Sequence, residues 1–342
     1  MSMKIGIVGA SGYSGGELLR ILSGHPKYEI EYIAASSQAG EPITSIHPQL
    51  ISFADQLFEE TSVARMSDCE LLFFALPHGA SAEYIAQLSD GIKIVDLGAD
   101  FRLESADQWQ KYYGASYAGS LPYAMPELPG ARAKIAESQR VANPGCYATS
   151  IALGALPAVS HGLIDAHDIV VVAASGTTGA GRSAKVNLIH SEVGNSLTSY
   201  KFGGVHQHTP EIEQALSAVA GEMVKISFTP ILAPMPRGIL STITAKLKSP
   251  IDTKKAHEIY SGAFAGEEFV HVLPQGQMPQ TAAVTGSNAV HIQVAVDEHT
   301  QRLIVSVAID NLGKGASSQA VQNANIMCGY PENLGLSVQG VR

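Results

Sequence analysis

The stretch GIVGASGYSGGELL, residues 6–19, decides how the first half of this chain folds. The apolar run KIGIV (4–8) leads into a glycine-rich loop that leucines at helical spacing follow, a pattern that predicts a buried strand, a tight turn and a helix. Glycines in such a turn let the backbone approach a pyrophosphate at the helix N-terminus. The spacing is G-x-x-G-x-x-G, with a serine in place of the usual second glycine. We predict a dinucleotide site here, the alternative being a structural turn, and assign to it Gly9, Ser11, Gly12, Tyr13, Ser14 and Gly15.

The end of the second predicted strand, EIEYIAAS (29–36), indicates which dinucleotide is bound. An NAD site usually has Asp or Glu there, where the carboxylate binds the ribose 2′-hydroxyl. Here the sequence reads AASSQ (34–38), so no carboxylate stands there to repel a 2′-phosphate. Because the hydroxyls of Ser36 and Ser37 can donate to that phosphate, we predict NADP (NADPH) as the cofactor. No arginine lies beside them, so we expect the preference over NAD to be modest.

The order of predicted elements changes near the middle of the chain. Strands alternate with helices up to RVAN (140–143), which predicts a parallel, doubly wound α/β sheet. The second half has long strands of alternating polarity, such as ILSTITAKL (239–247), typical of an α+β domain with a mostly antiparallel sheet. A chain of 342 residues is expected to form two domains. We predict an NADP-binding Rossmann domain over 1–145, completed by a C-terminal helix over 314–329, and a catalytic, substrate and oligomerisation domain over 146–313.

Composition excludes several classes of protein. Apolar residues make up 45% and charged residues 15%, which is typical of a packed enzyme. The net charge is −9 and no Lys/Arg block is present, so we predict no nucleic-acid partner. Apolar runs such as LLFFAL (71–76) are too short to span a membrane. The three cysteines form no close pair and no metal-ligand spacing, so we predict no metal. This cysteine usage, and an N-terminus without a charged leader and cleavage site, predict a cytoplasmic location.

The segment VANPGCYATS (141–150) contains the candidate nucleophile, Cys146. Pro144 and Gly145 are a helix breaker and a residue that permits a turn. The residues from 146 to 159 are predicted to form a helix. The thiol would lie in the first turn, where backbone N–H groups and the helix dipole favour the thiolate. A buried, inert cysteine is the alternative. Cys69 and Cys328 are interpreted as structural.

A nucleophilic cysteine needs an acid/base partner, and GGVHQHTPEIEQAL (203–216) holds two histidines in H-x-H spacing. On an extended segment, His206 and His208 would point the same way. Thr209 is predicted to cap the following helix and Pro210 to start it. A metal site would need a third ligand, which the neighbouring sequence does not offer, and a structural role is the other alternative.

Three arginines beside Gly or Pro turns are candidates for binding an anionic substrate: Arg102, Arg182 and Arg237. An arginine fork matches phosphate and carboxylate geometry. Arg182 follows a second glycine-rich loop, SGTTGAG (175–181), and is predicted to hold a phosphate. The other two could clamp a carboxylate, the alternative for each being an ordinary surface charge.

These motifs resemble those of the N-acetyl-gamma-glutamyl-phosphate reductase family of arginine biosynthesis. The resemblance runs in collinear order from residue 9 to 316 and rests on GASGYSGGELLR, HPQL (47–50), GADFRL, NPGCYATS, SGTTGAGR, GVHQHTPEI, PRGIL and DNLGKGA. It implies a Rossmann domain plus an α+β domain similar to the C-terminal domain of glyceraldehyde-3-phosphate dehydrogenase. It also implies NADPH-dependent conversion of N-acetylglutamyl phosphate to the semialdehyde, through a cysteinyl thioester.

The resemblance also implies roles for single residues. Cys146 would be the nucleophile and one of the two histidines the acid/base; we favour His208 for the proton and His206 for orientation. Asn311 would contact the nicotinamide side. We further assign Gly179 to the cofactor and Glu211 to the substrate, and we expect a homo-oligomer, dimer or tetramer.

Three other functions remain open from the sequence. The first is a sister acyl-phosphate reductase, acting on aspartyl phosphate or on carrier-bound aminoadipyl phosphate with the same chemistry. The second is a catalytically silent NADP-binding regulator, which leaves the cysteine and histidines unexplained. The third is a cysteine hydrolase that forms an acyl-enzyme, which leaves the nucleotide loop unexplained.

Overall fold

The predicted strands and helices form two units in the computed structural model, which describes residues 2–114 and 116–341. Unit 1 comprises the residues up to Pro126, Gly130–Pro144 and Ala316–Leu336. Unit 2 comprises Glu127–Pro129, Gly145–Gly315 and the residues from Ser337 onward. Among the described residues, no helix has the length and apolar character needed to cross a bilayer.

Unit 1 is a parallel sheet with helices, as the alternation of strands and helices predicts. Its strands are β1 (Met3–Val8), β2 (Tyr28–Ala34), β3 (Leu71–Phe74), β4 (Lys93–Asp96) and β5 (Arg140–Ala142), in the order β2-β1-β3-β4-β5. Every pairing is parallel. All four residues of β3 are buried, as expected of a strand covered on both faces. The predicted doubly wound sheet is therefore confirmed.

The helices of unit 1 include one from the far end of the sequence. They are α1 (Tyr13–Leu22), α2 (Ile43–Ile46), α3 (Val63–Met66), α4 (Ser81–Ile85), α5 (Ala106–Tyr113), α6 (Ala131–Glu137) and α12 (Ser318–Met327). The last of these packs against α1, α6 and β4. Nine of its ten residues are buried, so the C-terminal segment contributes to the core of unit 1.

Unit 2 is built on a seven-stranded, mostly antiparallel sheet. Its strands are β6 (Ile164–Ser175), β7 (Thr198–Ser199), β8 (Ile226–Leu232), β9 (Ile239–Leu247), β10 (Val270–Val272), β11 (Val290–Asp297) and β12 (Arg302–Ile309). The order is β10-β11-β12-β9-β6-β8-β7. The β6–β8 and β10–β11 pairs are parallel and the others antiparallel. The predicted α+β character of the second half is confirmed.

Helices cover one face of this sheet, and a glycine lets the longest approach closely. The helices of unit 2 are α7 (Cys146–Ser160), α8 (His190–Val193), α9 (His208–Ala220), α10 (Thr253–Ala263) and α11 (Thr281–Val284). A Cβ at Gly154 of α7 would lie 2.6 Å from side-chain atoms of both Ile243 and Val307. On the other face, Val172 of β6 is 43% exposed and Leu240 of β9 is 37% exposed. This face of the sheet is therefore partly apolar and solvent-exposed at Val172 and Leu240.

The chain around residue 314 differs from the predicted continuous helix over 314–329. Gly313–Ser317 form a π-helix, and α12 begins only at Ser318. Lys314 is fully buried and pairs with Glu127, which holds this wider turn in place. That ion pair also explains why Glu127–Pro129 belong to unit 2 although they fall inside the range 1–145 assigned to the first domain.

A buried carboxylate pair lies at the end of β4. Asp96 and Asp100 both stand 3.0 Å from the hydroxyl of Ser81, and Asp96 also accepts from the N–H of Gly98. One hydroxyl proton satisfies only one carboxylate, so the second bond needs a proton on a carboxyl group. Burial and the charge of Asp100, opposed by the hydrogen bond from the N–H of Gly98, together raise the pKa of Asp96 to about 7. Asp96 is the carboxyl group that carries this proton.

This arrangement makes stability depend on pH. The unfolded chain loses the Asp96 proton near its ordinary pKa of about 3.9, whereas the folded chain keeps it to about 7, so the free energy of unfolding falls as the pH rises through this window. We expect Asp96→Asn to gain up to about 1.4 kcal/mol per pH unit relative to the wild type between about pH 5 and 7. Denaturant unfolding at a series of pH values measures this, with Asp55→Asn at an exposed turn as the control. Parallel curves for wild type and Asp96→Asn would contradict the assignment.

Candidate active site

The glycines of the dinucleotide loop are required for two different reasons. Gly9 has φ +87°, and a Cβ there would lie 2.5 Å from the carbonyl oxygen of Ala75. A Cβ at Gly15 would lie 2.5 Å from Cα of Ala10. Close backbone contacts therefore leave no room for a side chain at either glycine. A Cβ at Gly12 would meet only one atom within 4 Å, at 3.6 Å, so this position is left open on the side from which a pyrophosphate approaches in such loops.

A histidine that the sequence analysis left without a role supports this loop. His47, the first residue of the HPQL motif, is buried, and its Nε2 lies 2.9 Å from the carbonyl oxygen of Ala10. A Cβ at Gly16 would lie 2.5 Å from the same ring. The ring thus packs against the start of α1 and holds the turn. Tyr13, the first residue of α1, is 38% exposed.

The residues predicted to select the coenzyme meet at a glutamine. The hydroxyls of Ser11 and Ser37 each donate to Oε1 of Gln38, at 2.8 Å. Ser36 and Ser37 are exposed at the end of β2. Gln38 was not assigned to the site from the sequence, although it lies in the AASSQ stretch. It joins the loop after β1 to the end of β2, where the 2′-position of a bound dinucleotide is recognised.

Cys146 is the first residue of α7, as predicted, and the helix start is held by a carboxylate. Gly145 has extended backbone angles, and its N–H donates to Oε1 of Glu211 at 2.7 Å. The carbonyl oxygen of Gly145 accepts from the hydroxyl of Thr149 at 3.1 Å. Glu211 is only 1% exposed. This carboxylate therefore fixes the backbone before the thiol, and its predicted contact with substrate stays a prediction.

The two histidines lie together, but for a different reason than the one predicted. Their rings are 5.0 Å apart. The prediction of an extended H-x-H segment with Thr209 as the cap is wrong, because α9 begins at His208 with Gln207 in the cap position. The N–H of His208 donates to Nδ1 of His206 at 3.1 Å. The helix start, rather than strand geometry, brings the rings together.

Burial separates the two histidines electrostatically. Burial lowers the pKa of His206, and the neighbouring charges of His208 and Lys201 add to this effect while Glu211 opposes it. The resulting pKa is about 2. Because Nδ1 of His206 accepts a hydrogen bond, its single proton lies on Nε2. His206 is therefore neutral throughout the physiological range. His208 is more exposed than His206, which suits a group that exchanges protons with a substrate.

Two tyrosines that the sequence analysis missed complete this cluster. The ring of Tyr147 packs edge-on against both histidine rings, at 5.4 and 6.0 Å, and the hydroxyl of Tyr200 donates to that of Tyr147 at 3.1 Å. Burial and the charge of the nearby Cys146 thiolate, opposed by the hydrogen bond with Tyr147, together raise the pKa of Tyr200 to about 12. Tyr147 follows the cysteine directly, a signal that was available. Tyr200 carries no local signal at all.

The three arginines have different surroundings. Arg102 is 4% exposed and donates to the carbonyl oxygens of Leu97 and Asn143, at 2.7 and 2.8 Å. This guanidinium therefore holds the first residue of the NPGC motif, and its predicted contact with a substrate carboxylate stays a prediction. Arg182 follows Gly181 and is exposed, so its position is compatible with the phosphate-binding role predicted for it.

Arg237 is paired with a buried carboxylate. Its Nε and Nη2 lie 3.1 and 2.6 Å from the two oxygens of Asp310, whose side chain is fully buried. The neighbouring Asn311 accepts from the N–H of Gly238 and donates to the hydroxyl of Thr178 in the second glycine-rich loop. Arg237 and Asn311 therefore both make structural hydrogen bonds. Their predicted contacts, and that of Gly179 in the same loop, stay predictions.

The chain matches two family models over most of its length and close relatives over its whole length. The model described as semialdehyde dehydrogenase, NAD binding domain, matches residues 4–138, and the model described as semialdehyde dehydrogenase, dimerisation domain, matches residues 146–311. Proteins of Acidothermus cellulolyticus and Frankia casuarinae are 54% and 51% identical to it, over 100% of this chain and 99% of each relative. Both relatives are named N-acetyl-gamma-glutamyl-phosphate reductase.

Solved structures share the fold at low sequence identity. Aspartate semialdehyde dehydrogenase II of Vibrio cholerae, complexed with ASA, has a TM-score of 0.73 and 16% identity, covering 96% of this chain and 99% of that chain. The aspartate semialdehyde dehydrogenase of Candida albicans, solved with NADP, has a TM-score of 0.69 and 16% identity, covering 98% and 100%. This likeness confirms the predicted architecture of both units.

The different environments of the histidines can be separated by substitution. If His208 moves the proton, His208→Gln lowers kcat by about two to four powers of ten and removes one limb of its pH profile. His206→Asn keeps an acceptor for the His208 N–H and should retain that limb. The pH dependence of kcat for both variants measures this. Loss of the limb in His206→Asn alone would reverse the two roles.

Proposed function

Because the chain belongs to the N-acetyl-gamma-glutamyl-phosphate reductases of the semialdehyde dehydrogenase family, we propose that it reduces N-acetyl-L-glutamyl 5-phosphate to N-acetyl-L-glutamate 5-semialdehyde, releasing phosphate. The observation that carries the mechanism is the position of Cys146 at the first residue of α7. Its charge acts on Tyr200, and the next residue, Tyr147, packs against the rings of both histidines. NADPH is the cofactor, and when bound it supplies the hydride. The identity of the relatives favours this substrate over those of the sister reductases.

The residues of unit 2 account for acyl transfer. The Cys146 thiolate attacks the carbonyl carbon of the acyl phosphate, the C–O bond to phosphate breaks, and a thioester to Sγ remains. The negative charge that develops on the carbonyl oxygen lies near the first N–H groups of α7, which stabilise it. Neutral Tyr147 and Tyr200 and the buried ring of His206 keep the surroundings of the thioester largely free of water. Exclusion of water favours reduction over hydrolysis.

The proton that accompanies the hydride is assigned to His208. Reduction of the thioester gives a thiohemiacetal on Cys146, whose oxygen takes a proton from His208 and returns it when the aldehyde leaves and the thiolate forms again. His206 supports this by accepting the N–H of His208, which fixes the start of α9. Arg182 is proposed to hold the phosphate group before it leaves. A silent regulator would need none of this machinery.

The coenzyme loop fits NADP. Gly12 leaves room for the pyrophosphate, and the stretch AASSQ has no carboxylate against a 2′-phosphate. Gln38 accepts the hydroxyl protons of Ser11 and Ser37 through Oε1. We propose that these hydroxyls turn to donate to the 2′-phosphate, with the amide of Gln38 reorienting to release them.

Assembly and location complete the proposal. We propose a homo-oligomer, either a dimer or a tetramer, in which the exposed face of the unit 2 sheet around Val172 and Leu240 is buried. Exposed apolar area on a sheet face, within a segment matched by a dimerisation domain, supports this. We place the enzyme in the cytoplasm because its three cysteines are all free thiols, as a reducing compartment keeps them.

The reverse reaction tests the function. We expect oxidation of N-acetylglutamate semialdehyde with NADP to require phosphate, since phosphate must displace the thioester. Cys146→Ser should lose nearly all of this activity, and aspartate semialdehyde should be a poor substrate. Initial rates of NADPH formation over a panel of aldehydes, with and without phosphate, decide it. A preference for aspartate semialdehyde would overturn the substrate, and phosphate-independent oxidation would overturn the thioester route.

The coenzyme assignment has its own test. We expect kcat/KM to be higher with NADPH than with NADH, and Ser37→Asp to shift the preference toward NADH because its carboxylate repels a 2′-phosphate. Binding of 2′,5′-ADP and of 5′-AMP, measured by calorimetry, separates this effect from catalysis. Ser67→Asp, at an exposed position of unit 1, is the charge-matched control. Tighter binding of 5′-AMP than of 2′,5′-ADP to the wild type would contradict the assignment.

A further inference from the structure

The segment DNLGKG (310–315) lies against the nucleophile and is held at nearly every residue. It begins where β12 ends and leads into the π-helix. Its last residue, Gly315, donates its N–H to the carbonyl oxygen of Asp310 at 2.9 Å, which closes the segment into a turn. We call residues 310–315 the DNLGKG turn.

Gly315 touches the backbone of the candidate nucleophile. A Cβ at this glycine would lie 2.8 Å from Cβ of Cys146 and 3.2 Å from its Cα. Real Cβ atoms essentially never approach another atom within 3.0 Å. The glycine is required here by lack of space and not by a left-handed backbone, since its φ is not positive. No side chain fits at this position unless Cys146 moves.

A buried ion pair anchors the turn directly before that glycine. Nζ of Lys314 lies 2.5 Å from Oε1 of Glu127, with side-chain exposures of 0% and 1%. The same ammonium lies 5.6 Å from the ring centre of Phe269. Removing one partner of such a pair leaves an uncompensated buried charge, which strongly opposes any movement that separates the two. The backbone at Lys314 is therefore rigidly placed.

The start of the turn is anchored as well. The fully buried carboxylate of Asp310 pairs with Arg237 through both oxygens and also accepts from the N–H groups of Leu312 and Gly286. A Cβ at Gly313 would overlap the carbonyl oxygen of Ser287, so the middle of the turn has no freedom to shift in that direction. Both ends and the middle of the turn are fixed independently.

Cys146 thus lies between two rigid contacts. Glu211 holds the N–H of Gly145 on one side, and the DNLGKG turn meets Cβ and Cα on the other. We propose that Gly315 is a positioning residue, whose contact with Cβ of Cys146 sets the direction in which the thiol points, and that the Lys314–Glu127 pair holds Gly315 at that distance. The inference rests on the proposed role of Cys146 as the nucleophile.

Substitution of the glycine tests the proposal. In Gly315→Ala the added methyl pushes Cys146 away by about 0.5–1 Å, and displacements of this size can cost about 100-fold in rate. We expect kcat of the reverse reaction to fall by about that factor while the KM for NADP stays within about twofold. Gly262→Ala is the matched control, because Gly262 lies in α10 with no atom within 4 Å of an added Cβ.

A second measurement reports the thiol without any turnover. The rate of Cys146 alkylation by iodoacetamide, followed by mass spectrometry against pH, should have a higher midpoint in Gly315→Ala, because Sγ moves away from the N–H groups at the start of α7. Unchanged alkylation and unchanged kcat would overturn the proposal. If the wild type lacks phosphate-dependent activity but the alkylation midpoint still shifts, the positioning role stands and the proposed function fails.

A further variant decides the case if Gly315→Ala does not fold. The double substitution Lys314→Met with Glu127→Gln removes the ion pair without leaving a buried charge alone. We expect it to lower kcat by about tenfold and to raise the alkylation midpoint, because the turn loses its anchor. Wild-type kcat and alkylation in this double variant would refute the part assigned to the ion pair.

Discussion

The chemistry proposed for this chain depends on one constraint, the fixed backbone at the first residue of α7. A thiol gains reactivity from helix N–H groups only while it lies within the first turn. The fold secures that turn with a carboxylate bond to Gly145 and with a glycine, Gly315, packed against the cysteine. The close approach of α7 to its sheet at Gly154 adds a third restraint. Cys146 differs from the other two cysteines in its position, because it begins α7, whereas Cys69 precedes β3 and Cys328 follows α12.

The proposed mechanism also gives different roles to the two neighbouring histidines. In a buried site, charging both of two imidazoles 5.0 Å apart is unfavourable because the two positive charges repel each other. The structure resolves this by burying His206 and leaving it neutral, while His208 takes the first position of a helix. A neutral ring still donates and accepts hydrogen bonds, so it can orient its neighbour without competing for the proton. Burial also raises the pKa of Tyr147 and of Tyr200, and their protonated hydroxyls donate to the carbonyl oxygen of Ile231 and to the hydroxyl of Tyr147, respectively.

Sequence patterns predicted the parts of this molecule that local rules control. The strand–turn–helix around Gly9, the helix start at Cys146 and the change from parallel to antiparallel sheet all follow from spacing within a few residues. Contacts between distant residues were not predictable in this way. Lys314 and Glu127 are 187 positions apart, and nothing near either of them indicates the other. Tyr200 was missed for the same reason. Gln38 lies in the stretch assigned to the coenzyme, but its contact with Ser11, 27 positions away, had no local signal. The extended H-x-H segment was wrong because an early helix start overrode the period-2 pattern.

The arrangement of positive charge follows from what the proposed reaction must release. Binding substrate and product equally well does not speed the chemical step, and phosphate must leave once the thioester forms. An unpaired cation buried beside the thiol would hold free phosphate strongly, because its field is poorly screened at low dielectric. Lys314 is fully buried and the Arg237 side chain is 21% exposed, and each is paired with its own carboxylate, which reduces the field that it adds. Arg182 is exposed, where water screens its charge. A screened charge suits a site that binds the phosphate group until the thioester forms and then releases it.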